Sequence, residues 1–314
     1  MNNKLKNLAS RRGGWFSRRE ALACGYTDSE IRQRVLEGRW IRLCRGAYAE
    51  KGGADEKKPK WERERLHHVL VAQAIQDRLG KRVAISHQTA TAAYGLPTWG
   101  LDLSKVHVTR LAGHGRSDRE VVQHAGRLVE ADLSSTAGGL ATSVARSVVD
   151  AARLTSYESA VVVADAALQR RLVTSEQLSA ELAAVGGRIG ASTAIKALRF
   201  ADARAESPGE SRLRVLLADH GFPLPTLQAQ LSTATGEFVA RVDFLFDDAK
   251  VVIEFDGESK YGEDGAEVVA EKWREDRIRE LGYVVVRVSW SDLATPEKTA
   301  ERVRAAFERA ARRR

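Results

Sequence analysis

The chain of 314 residues is 43% hydrophobic and 29% charged and carries a formal net charge of +8, a composition typical of a soluble protein with room for two or three domains. No apolar run reaches the length of a membrane span, and the N-terminal residues lack the apolar core of a secretory signal. Only Cys24 and Cys44 occur, too few for a disulfide framework, so we expect a cytoplasmic protein.

The charge is unevenly distributed along the chain. Residues 1–50 contain 11 Lys and Arg against 5 Asp and Glu, whereas the segment from Glu210 to the C-terminus contains 17 basic and 20 acidic residues. A basic surplus at the front is where a nucleic-acid-binding surface is expected. A net-acidic C-terminal segment fits a site built of carboxylates.

The first fifty residues contain dense helix and turn signals. Residues 1–12 are polar and basic without periodicity, which predicts a flexible arm. A capping box at Ser17–Glu20 opens a short helix that ends at Gly25, and Thr27 caps a second helix that continues to Gly38. The alternating stretch W-I-R-L-C-R-G-A-Y-A then predicts a hairpin. This succession of elements is typical of a winged helix-turn-helix domain.

The predicted winged helix carries residue types that bind phosphates and guanine edges. The candidates are Arg32, Gln33 and Arg34 on the second helix, and Arg39, Arg42 and Arg45 on the wing. We predict that they contact duplex DNA. The alternative is a helical hairpin with a solvated basic face.

Two stretches resemble a known family of antitoxins. The pattern G-x-x-S-R-R-E-A-L-A-x-G, followed by I-R-x-x-V-x-x-G-R-W-I-R-L-x-R-G-A-Y, resembles the N-terminal domain of AbiEi-type antitoxins, and the likeness extends into S-H-Q-T-A-T-A-A-Y-G-L-P at Ser86–Pro97. Those proteins belong to type IV toxin–antitoxin systems and bind operator DNA. The resemblance therefore implies DNA as a partner, together with a cognate toxin or another operon partner.

A polar linker at Gly52–Lys60 leads to a mixed α/β domain predicted over residues 61–205. Helices are expected near 62–79, 87–94, 142–153, 157–170, 175–184 and 192–204, and strands near 82–86, 105–109 and 120–124. Its histidines lack the sequence spacing of metal ligands; they are His67, His68, His107, His114 and His124. His87, at a helix start, is interpreted as a capping or core residue. No motif in this domain indicates its role.

A third domain is predicted over residues 207–314. Ser207 as N-cap, Pro208 at the first position and Glu210 at the third position start a helix. A strand, a two-stranded hairpin, a helix near 266–281, a strand at Y-V-V-V-R-V-S-W and a final helix follow, which gives the order α-β-β-β-α-β-α. The near-continuous apolar run of the last strand predicts burial on both of its faces.

The hairpin at Phe238–Gly257 contains opposed carboxylates. If its turn lies at D-D-A-K, Phe246 pairs with Val251 and Asp243 falls opposite Glu254. Directly opposed residues hold their Cβ atoms about 5 Å apart, where two acids repel each other. A divalent cation would compensate for that repulsion, because Mg²⁺ takes one or two carboxylates together with substrate phosphate oxygens.

The element order, with acids on the second and third strands, resembles the PD-(D/E)XK nuclease superfamily, and in particular the branch related to very-short-patch-repair endonucleases. The phrases that carry the resemblance are E-S-x-L-R, R-V-D-F, V-V-I-E-F-D-G-x-x-K-Y and D-R-x-R-x-L-G-Y-x-V-V-R, in about the last third of the chain. The resemblance implies that Glu210, Asp243 and Glu254 hold Mg²⁺ or Mn²⁺. Such an ion lowers the pKa of a bound water and stabilises charge on the attacked phosphate.

The sequence departs from this superfamily at one catalytic position. Asp256 stands where a lysine is expected, and Lys260 is the candidate replacement. Arg274 and Arg277, on the following helix, are alternative cations that we also expect to contact DNA. Asp276 could bind a second metal ion or orient Lys260.

Structural roles compete with these assignments. Glu210 has the spacing that completes a capping box at the start of its helix. The hairpin register also places Arg241 opposite Asp256, where the two could form a cross-strand ion pair. The pair of Asp243 and Glu254 has no such partner on an adjacent strand position.

The sequence thus predicts a multidomain α/β protein. It comprises a winged helix-turn-helix domain at 1–50, a mixed α/β antitoxin-like domain at 61–205 and a restriction-endonuclease-like α-β-β-β-α-β domain at 207–314. We expect a DNA-binding protein with a Mg²⁺-dependent endonuclease domain that nicks or cleaves DNA in repair or defence. The alternative is an AbiEi-like transcriptional regulator or antitoxin whose nuclease fold is catalytically degenerate.

Overall fold

A computed structural model describes residues 1–52, 57–80, 82–126, 128–136, 138–257 and 265–313, without the side chains of residues 185 and 265–268. The chain divides into two units, each described by itself here. Unit 1 comprises Met1–Val163 and Arg171–Arg199, and unit 2 comprises Ala164–Arg170 and Phe200–Arg314. The helix Tyr157–Gln169 therefore contributes its C-terminal part to unit 2. None of the described helices is both long and apolar enough to span a bilayer.

Three helices and a three-stranded sheet form the head of unit 1. In chain order they are α1 (Asn3–Arg11), β1 (Trp15–Ser17), α2 (Arg18–Ala23), α3 (Asp28–Leu36), β2 (Trp40–Cys44) and β3 (Ala47–Glu50). The strand order is β1-β3-β2, and both pairings are antiparallel. The predicted capping boxes at Ser17 and Thr27 begin α2 and α3. These elements are consistent with a winged helix.

Helix α1 occupies the segment predicted as a flexible arm, so that prediction is wrong. The Asn2 side chain caps the helix by accepting a hydrogen bond from the Leu5 N–H at 2.9 Å. Leu5 and Ala9, four residues apart on one helix face, are buried in the cluster that contains Phe16 and Trp40. Burial of this narrow apolar stripe outweighs the polar composition of the segment.

A five-stranded sheet and further helices complete unit 1. The elements are α4 (Lys60–Leu79), β4 (Val83–Ile85), α5 (His87–Ala93), β5 (Val106–Arg110), β6 (Val121–Ala125), β7 (Leu133–Thr136), β8 (Gly139–Thr142), α6 (Val144–Ala152), α7 (Tyr157–Gln169), α8 (Ser175–Val185) and α9 (Ala191–Phe200). The strand order is β6-β5-β4-β8-β7, so β6 lies at one edge. The sequence did not predict β7 and β8, because L-S-S-T and G-L-A-T are short and poor in strand-forming residues.

Unit 2 has the predicted element order α-β-β-β-α-β-α. The elements are α10 (Pro208–Asp219), β9 (Thr226–Ser232), β10 (Phe238–Phe246), β11 (Val251–Asp256), α11 (Gly265–Glu280), β12 (Val284–Ser289) and α12 (Pro296–Ala311). The strand order is β12-β11-β10-β9; β11 and β12 are parallel, and the other pairings are antiparallel. One core cluster joins α10 and α12 to the sheet. A second cluster, which includes Ile278 of α11, packs on residues of β9, β10 and β11.

Strand β12 lies at the edge of its sheet, and the predicted burial on both faces is wrong. Buried residues alternate with half-buried ones along the strand: Val284, Val286 and Val288 are buried, and Val285, Arg287 and Ser289 are half-buried. On the less buried face, Val285 still packs, partly buried, against the second core cluster, which accounts for the apolar run. Arg287 lies on the less buried face, where its guanidinium forms ion pairs with Asp256, Glu271 and Glu275.

Candidate functional site

The basic surface of unit 1 lies on α3 and on the hairpin β2–β3. Arg32 on α3 and Arg42 and Arg45 on the hairpin are exposed. None of the three forms an ion pair with a described residue. Arg45 lies at the hairpin tip beside Gly46, whose φ of 79° permits the tight turn. These side chains are available to an anionic partner.

Arg34 is held by the aromatic residues of the head. Its guanidinium lies 5.1 Å from the ring centroid of Tyr26 and 5.3 Å from that of Trp40. Arg34 is half-buried, so its contacts stabilise α3 on the head. Its contact with DNA stays a prediction.

Glu37 engages two further candidates for DNA contact. Gln33 donates a hydrogen bond from Nε2 to Oε1 of Glu37 at 2.9 Å. Arg39 forms an ion pair with the same carboxylate. Both side chains would have to exchange Glu37 for a phosphate or a base in order to bind DNA.

The opposed carboxylates of unit 2 lie in the predicted register. Phe246 pairs with Val251, and the same register sets Asp243 opposite Glu254. Phe246 and Val251 are buried in the core of unit 2. A slip of one residue would turn this apolar set toward solvent, so the core fixes the position of the acids.

Gln228, on β9, joins Asp243 to Glu210. Its Nε2 lies 3.0 Å from Oε2 of Glu210 and 3.2 Å from Oδ1 of Asp243. The other oxygen of Asp243, Oδ2, accepts from the Phe255 N–H at 2.8 Å. Gln228 has a φ of 52°, which is uncommon for a residue other than glycine. Sequence analysis missed Gln228, because a single amide within a strand forms no recognisable motif.

Glu210 also takes part in the start of α10, although its carboxylate accepts from the Glu206 N–H and not from the Ser207 N–H of the expected capping box. Its Oε1 accepts from the Ser207 hydroxyl at 2.7 Å, and its Oε2 accepts from the Glu206 N–H at 2.9 Å. The Ser207 hydroxyl in turn accepts from the Glu210 N–H at 3.1 Å. Glu210 therefore stabilises the helix start and reaches the acidic cluster through Gln228.

The acidic cluster raises the pKa of two of its carboxyls. Burial, followed by the charge of Asp243, raises the pKa of Glu254 to about 7. Burial is also the largest cause that raises the pKa of Glu210, and Asp243 adds to it. Carboxyls whose pKa is raised by burial and by a second acid occur often at functional sites. A cation bound nearby would stabilise their ionised form.

Arg274, on α11, provides a cation at Glu254. Its Nη1 lies 3.1 Å from Oε1 of Glu254, and its Nη2 lies 2.7 Å from Oε1 of Glu271. The hydrogen bonds from Arg274 lower the pKa of Glu271 to about 2. An arginine thus contacts a carboxylate that the nuclease resemblance assigns to a metal ion.

Asp256 pairs with Arg287, and the predicted cross-strand pair with Arg241 is wrong. Nη1 of Arg287 lies 3.0 Å from Oδ1 of Asp256. The reason is the edge strand: β12 runs parallel to β11 and sets Arg287 beside Glu254, two residues from Asp256. Arg241 instead pairs with Glu206 at 2.9 Å.

The remaining nuclease candidates are dispersed. Lys260 lies outside the described residues. Arg277 pairs with Glu237 at 2.8 Å, and Asp276 lies 3.4 Å from Arg279. Their catalytic or DNA-binding roles stay predictions.

The three candidate metal ligands fit Mg²⁺ or Mn²⁺ in chemical type, since hard cations take carboxylate oxygens. No choice of one oxygen from each of the three carboxylates places all three oxygens within 4.8 Å of one another. A cluster of three histidines among the described residues does bring its ring nitrogens that close. Donors of the protein itself contact these carboxylates, namely Gln228, the Phe255 N–H and Arg274. The three carboxylates are suitable ligands for a metal ion, and in this arrangement part of their capacity is taken up by hydrogen bonds from the protein.

The histidine cluster consists of His87, His107 and His124 in unit 1. One ring nitrogen from each residue lies within 4.8 Å of the other two. The sequence spacing did not relate these histidines, because they come from the start of α5, from β5 and from β6. Spacing rules detect ligands that share one local motif, whereas here the fold assembles them.

Comparison with known proteins defines the class of the head. Residues 3–51 match a family model described as "Transcriptional regulator, AbiEi antitoxin". The resemblance of the N-terminal segment to this family is thereby confirmed.

Over a longer span the chain is similar to two proteins of Mycobacterium tuberculosis. They are uncharacterized protein Rv2248 of strain H37Rv and uncharacterized protein MT2308 of strain CDC 1551. Identity to each is 30% over 253 residues, which is 78% of this chain and 93% of the relative. The chain belongs to the same family as these mycobacterial proteins.

Proposed function

We propose that the chain is a DNA-binding transcriptional regulator of the AbiEi antitoxin type, and that the head made of α1–α3 and β1–β3 binds duplex DNA. The observation that carries this proposal is the exposed set of Arg32, Arg42 and Arg45, within the segment that matches the regulator family. A net-basic head adds a non-specific attraction to the phosphate backbone.

The position of each arginine suggests its contact. Ile31 is buried and fixes α3 on the head, so that Arg32 and Gln33 lie on the exposed face of this helix. In helix-turn-helix proteins the second helix enters the major groove. Arg32 would there contact a guanine edge or a phosphate, and Arg42 and Arg45 would contact phosphates from the hairpin.

The test is the binding of full-length protein to duplex DNA by fluorescence anisotropy at several salt concentrations. The double variant Arg32→Ala/Arg42→Ala should bind more weakly, and the magnitude of the slope of log K against log salt should fall by about 1 for each of the two arginines that contacts a phosphate. Arg119→Ala/Arg188→Ala is the matched control, because both arginines are exposed and lie outside the head. Unchanged binding and slope in the double variant would place the DNA surface elsewhere.

A regulator of this type would act with a cognate toxin or another product of its operon. Co-expression with the neighbouring gene product, followed by co-purification and a growth assay, tests this partnership. A neighbour that neither binds the chain nor is toxic without it would contradict the antitoxin role.

A second candidate function is a Mg²⁺- or Mn²⁺-dependent DNA endonuclease in unit 2. The observation that favours it is Asp243 opposite Glu254, with the pKa of Glu254 raised to about 7. Glu210, Asp243 and Glu254 would hold the ion. When bound, the ion would lower the pKa of a water and stabilise charge on the phosphate. Asp256 and Lys260 complete the proposed catalytic set.

The regulator is the better-supported of the two proposals, because Arg274 contacts Glu254 and Arg287 contacts Asp256. Incubation of the purified chain with supercoiled plasmid, with and without Mg²⁺ or Mn²⁺, separates them. Nicked or linear product that depends on the metal would favour the endonuclease. Intact plasmid under conditions where the chain binds DNA would favour the regulator alone.

A further inference from the structure

The histidine cluster in unit 1 is assembled from three separate elements. His107 on β5 and His124 on the edge strand β6 are close, with Nδ1 of His107 at 2.9 Å from Nε2 of His124. The ring of His87 stacks on that of His124, with centroids 3.7 Å apart. One nitrogen from each of the three rings lies within 4.8 Å of the others. The fold therefore brings three imidazoles together; the planes of His87 and His124 lie 18° apart, so one of these two rings has to turn for both lone pairs to point at one ion.

The backbone at His87 is strained in a way that serves this arrangement. His87 has a φ of 54°, a left-handed conformation that is costly for a residue with a Cβ and typical of functional sites. Ser86 stands at the N-cap of α5 but makes no capping hydrogen bond with its side chain. Its hydroxyl lies instead 2.9 Å from Nδ1 of His87. A capping bond is given up, and the serine orients the imidazole.

The contact of Ser86 leaves the second nitrogen of His87 for another partner. Histidine ligands of metals are commonly oriented by a hydrogen bond to the nitrogen that does not bind the metal. When the Nδ1–H of His87 donates to the Ser86 hydroxyl, Nε2 carries the lone pair that a metal ion would take. His87 thus has the bonding pattern of an oriented ligand.

Gln88 can orient His107 in the same way. Its Nε2 lies 2.9 Å from Nε2 of His107, and its buried Oε1 has no hydrogen-bond partner among the described residues. Half a turn of the amide exchanges the two atoms, so that Oε1 accepts from the Nε2–H of His107. The exchange loses a 3.3 Å bond to the Asp102 carbonyl. His107 then has its lone pair on Nδ1, the atom that faces His124.

Burial disfavours the protonated form of the three imidazoles. Burial, and then the neighbouring histidines, lower the pKa of His87. Burial lowers the pKa of His107 to about 4 and also lowers that of His124. Arg146 and Arg153 act on His87 in the same direction. Both arginines pair with the buried Asp150, at 2.6 and 3.0 Å, which offsets part of their charge.

The ligand type selects the ion. Mg²⁺ and Ca²⁺ prefer oxygen ligands, whereas neutral imidazoles suit Zn²⁺ and related transition metals. Three histidines with a fourth position for water form a known zinc coordination set. His124 is half-buried on an edge strand, which gives an ion a route from solvent.

We propose that His87, His107 and His124 form a binding site for a divalent transition-metal ion of the Zn²⁺ class, with Ser86 and Gln88 as positioning residues. The ion ties the start of α5 to β5 and β6. The site is independent of the acidic cluster of unit 2 and of the function proposed for the head.

The test uses the full-length chain after treatment with a chelator, titrated with Co²⁺ and Zn²⁺. The expected result is one equivalent of Co²⁺ with the visible absorption bands of a tetrahedral site, displaced by one equivalent of Zn²⁺. Zn²⁺ should also raise the melting temperature. A parent chain that retains no metal and gives no Co²⁺ bands would overturn the proposal and leave a cluster held by hydrogen bonds alone.

Variants locate the ion within the chain. His124→Gln should lose most of the bound metal, and His114→Ala, an exposed histidine outside the cluster, should retain it. Ser86→Ala should weaken affinity by about 10- to 100-fold, as removal of an orienting partner does. Metal that persists in His124→Gln and disappears in Glu254→Gln would overturn the proposal in favour of the acidic cluster. If His124→Gln fails to fold, as judged by circular dichroism, the Co²⁺ spectrum of the parent still decides.

Discussion

Arg274 donates a hydrogen bond to Glu254 at 3.1 Å. The register of the hairpin also places Glu254 opposite Asp243 on the neighbouring strand, so that two carboxylates repel each other. The arginine therefore compensates part of a repulsion that a metal ion would otherwise compensate. This relationship makes Glu254 the residue whose replacement is most informative.

We expect Glu254→Gln to stabilise unit 2 above pH 7. The pKa of Glu254 is about 7 in the folded chain and 4.5 as an ordinary glutamate. As the pH rises from 4.5 to 7, the unfolded chain releases this proton before the folded chain does, so the wild type loses stability. The variant escapes this loss, which is at most about 3 kcal/mol, and its amide oxygen still accepts from Arg274.

Urea unfolding followed by circular dichroism at pH 5 and pH 8 measures this effect. The gain of Glu254→Gln should be small at pH 5 and largest at pH 8. Glu237→Gln is the matched control, because Glu237 is exposed and pairs with Arg277 on the surface. A destabilised Glu254→Gln at pH 8 would mean that the ion pair with Arg274 dominates.

Asp243→Ala separates catalysis from binding. If unit 2 cleaves DNA, this variant and Glu254→Ala should abolish metal-dependent nicking of plasmid and leave DNA affinity nearly unchanged, since neither acid attracts a phosphate. Gel analysis of plasmid and anisotropy measure the two properties. Equal losses of DNA binding in both variants, with no cleavage by the parent chain, would contradict the endonuclease.

Arg32 and Arg34, two positions apart on α3, should behave differently. Arg34→Ala removes a cation from the rings of Tyr26 and Trp40 and should destabilise the head by about 1 kcal/mol. Arg32→Ala should leave stability unchanged and weaken DNA binding. Thermal unfolding and anisotropy of both variants check this; an identical pattern in the two would refute the division of roles.

Asp165 and Arg214 form a buried ion pair, and removal of one partner should destabilise unit 2. Nη2 of Arg214 lies 2.9 and 2.7 Å from the two carboxylate oxygens of Asp165. Asp165→Ala leaves a buried guanidinium without its partner and should cost about 3–5 kcal/mol. The double variant Asp165→Leu/Arg214→Met should recover much of that loss. Urea unfolding measures the free energy of unfolding of both variants. A double variant as unstable as the single one would show that apolar residues cannot replace the ion pair.

Local sequence rules predicted the elements that local interactions determine. The capping residues Ser17, Thr27 and Ser207 begin helices where expected, and the hairpin register follows from alternation and turn position. Rules of this kind failed where tertiary contacts decide. Helix α1 forms because its few apolar residues reach the core of the head, and Arg287 reaches Asp256 because a distant strand is its neighbour.

The candidate sites show the same division. The acids of the hairpin could be placed from sequence because one turn relates them. Gln228, Arg287 and the histidine cluster could not, because residues far apart in the chain meet only through the order of strands in a sheet. A contact of this kind leaves no spacing in the sequence from which it could be recognised.

The end of α7 belongs to unit 2, and this has a practical consequence for dissecting the protein. A fragment that starts at Ser207, where the sequence places the last domain, would lack Asp165. The buried guanidinium of Arg214 would then have lost its carboxylate partner. Unit 2 therefore does not begin at Ser207, because residues 164–170 and 200–206 also belong to it. A fragment meant to fold alone has to begin upstream of Ala164.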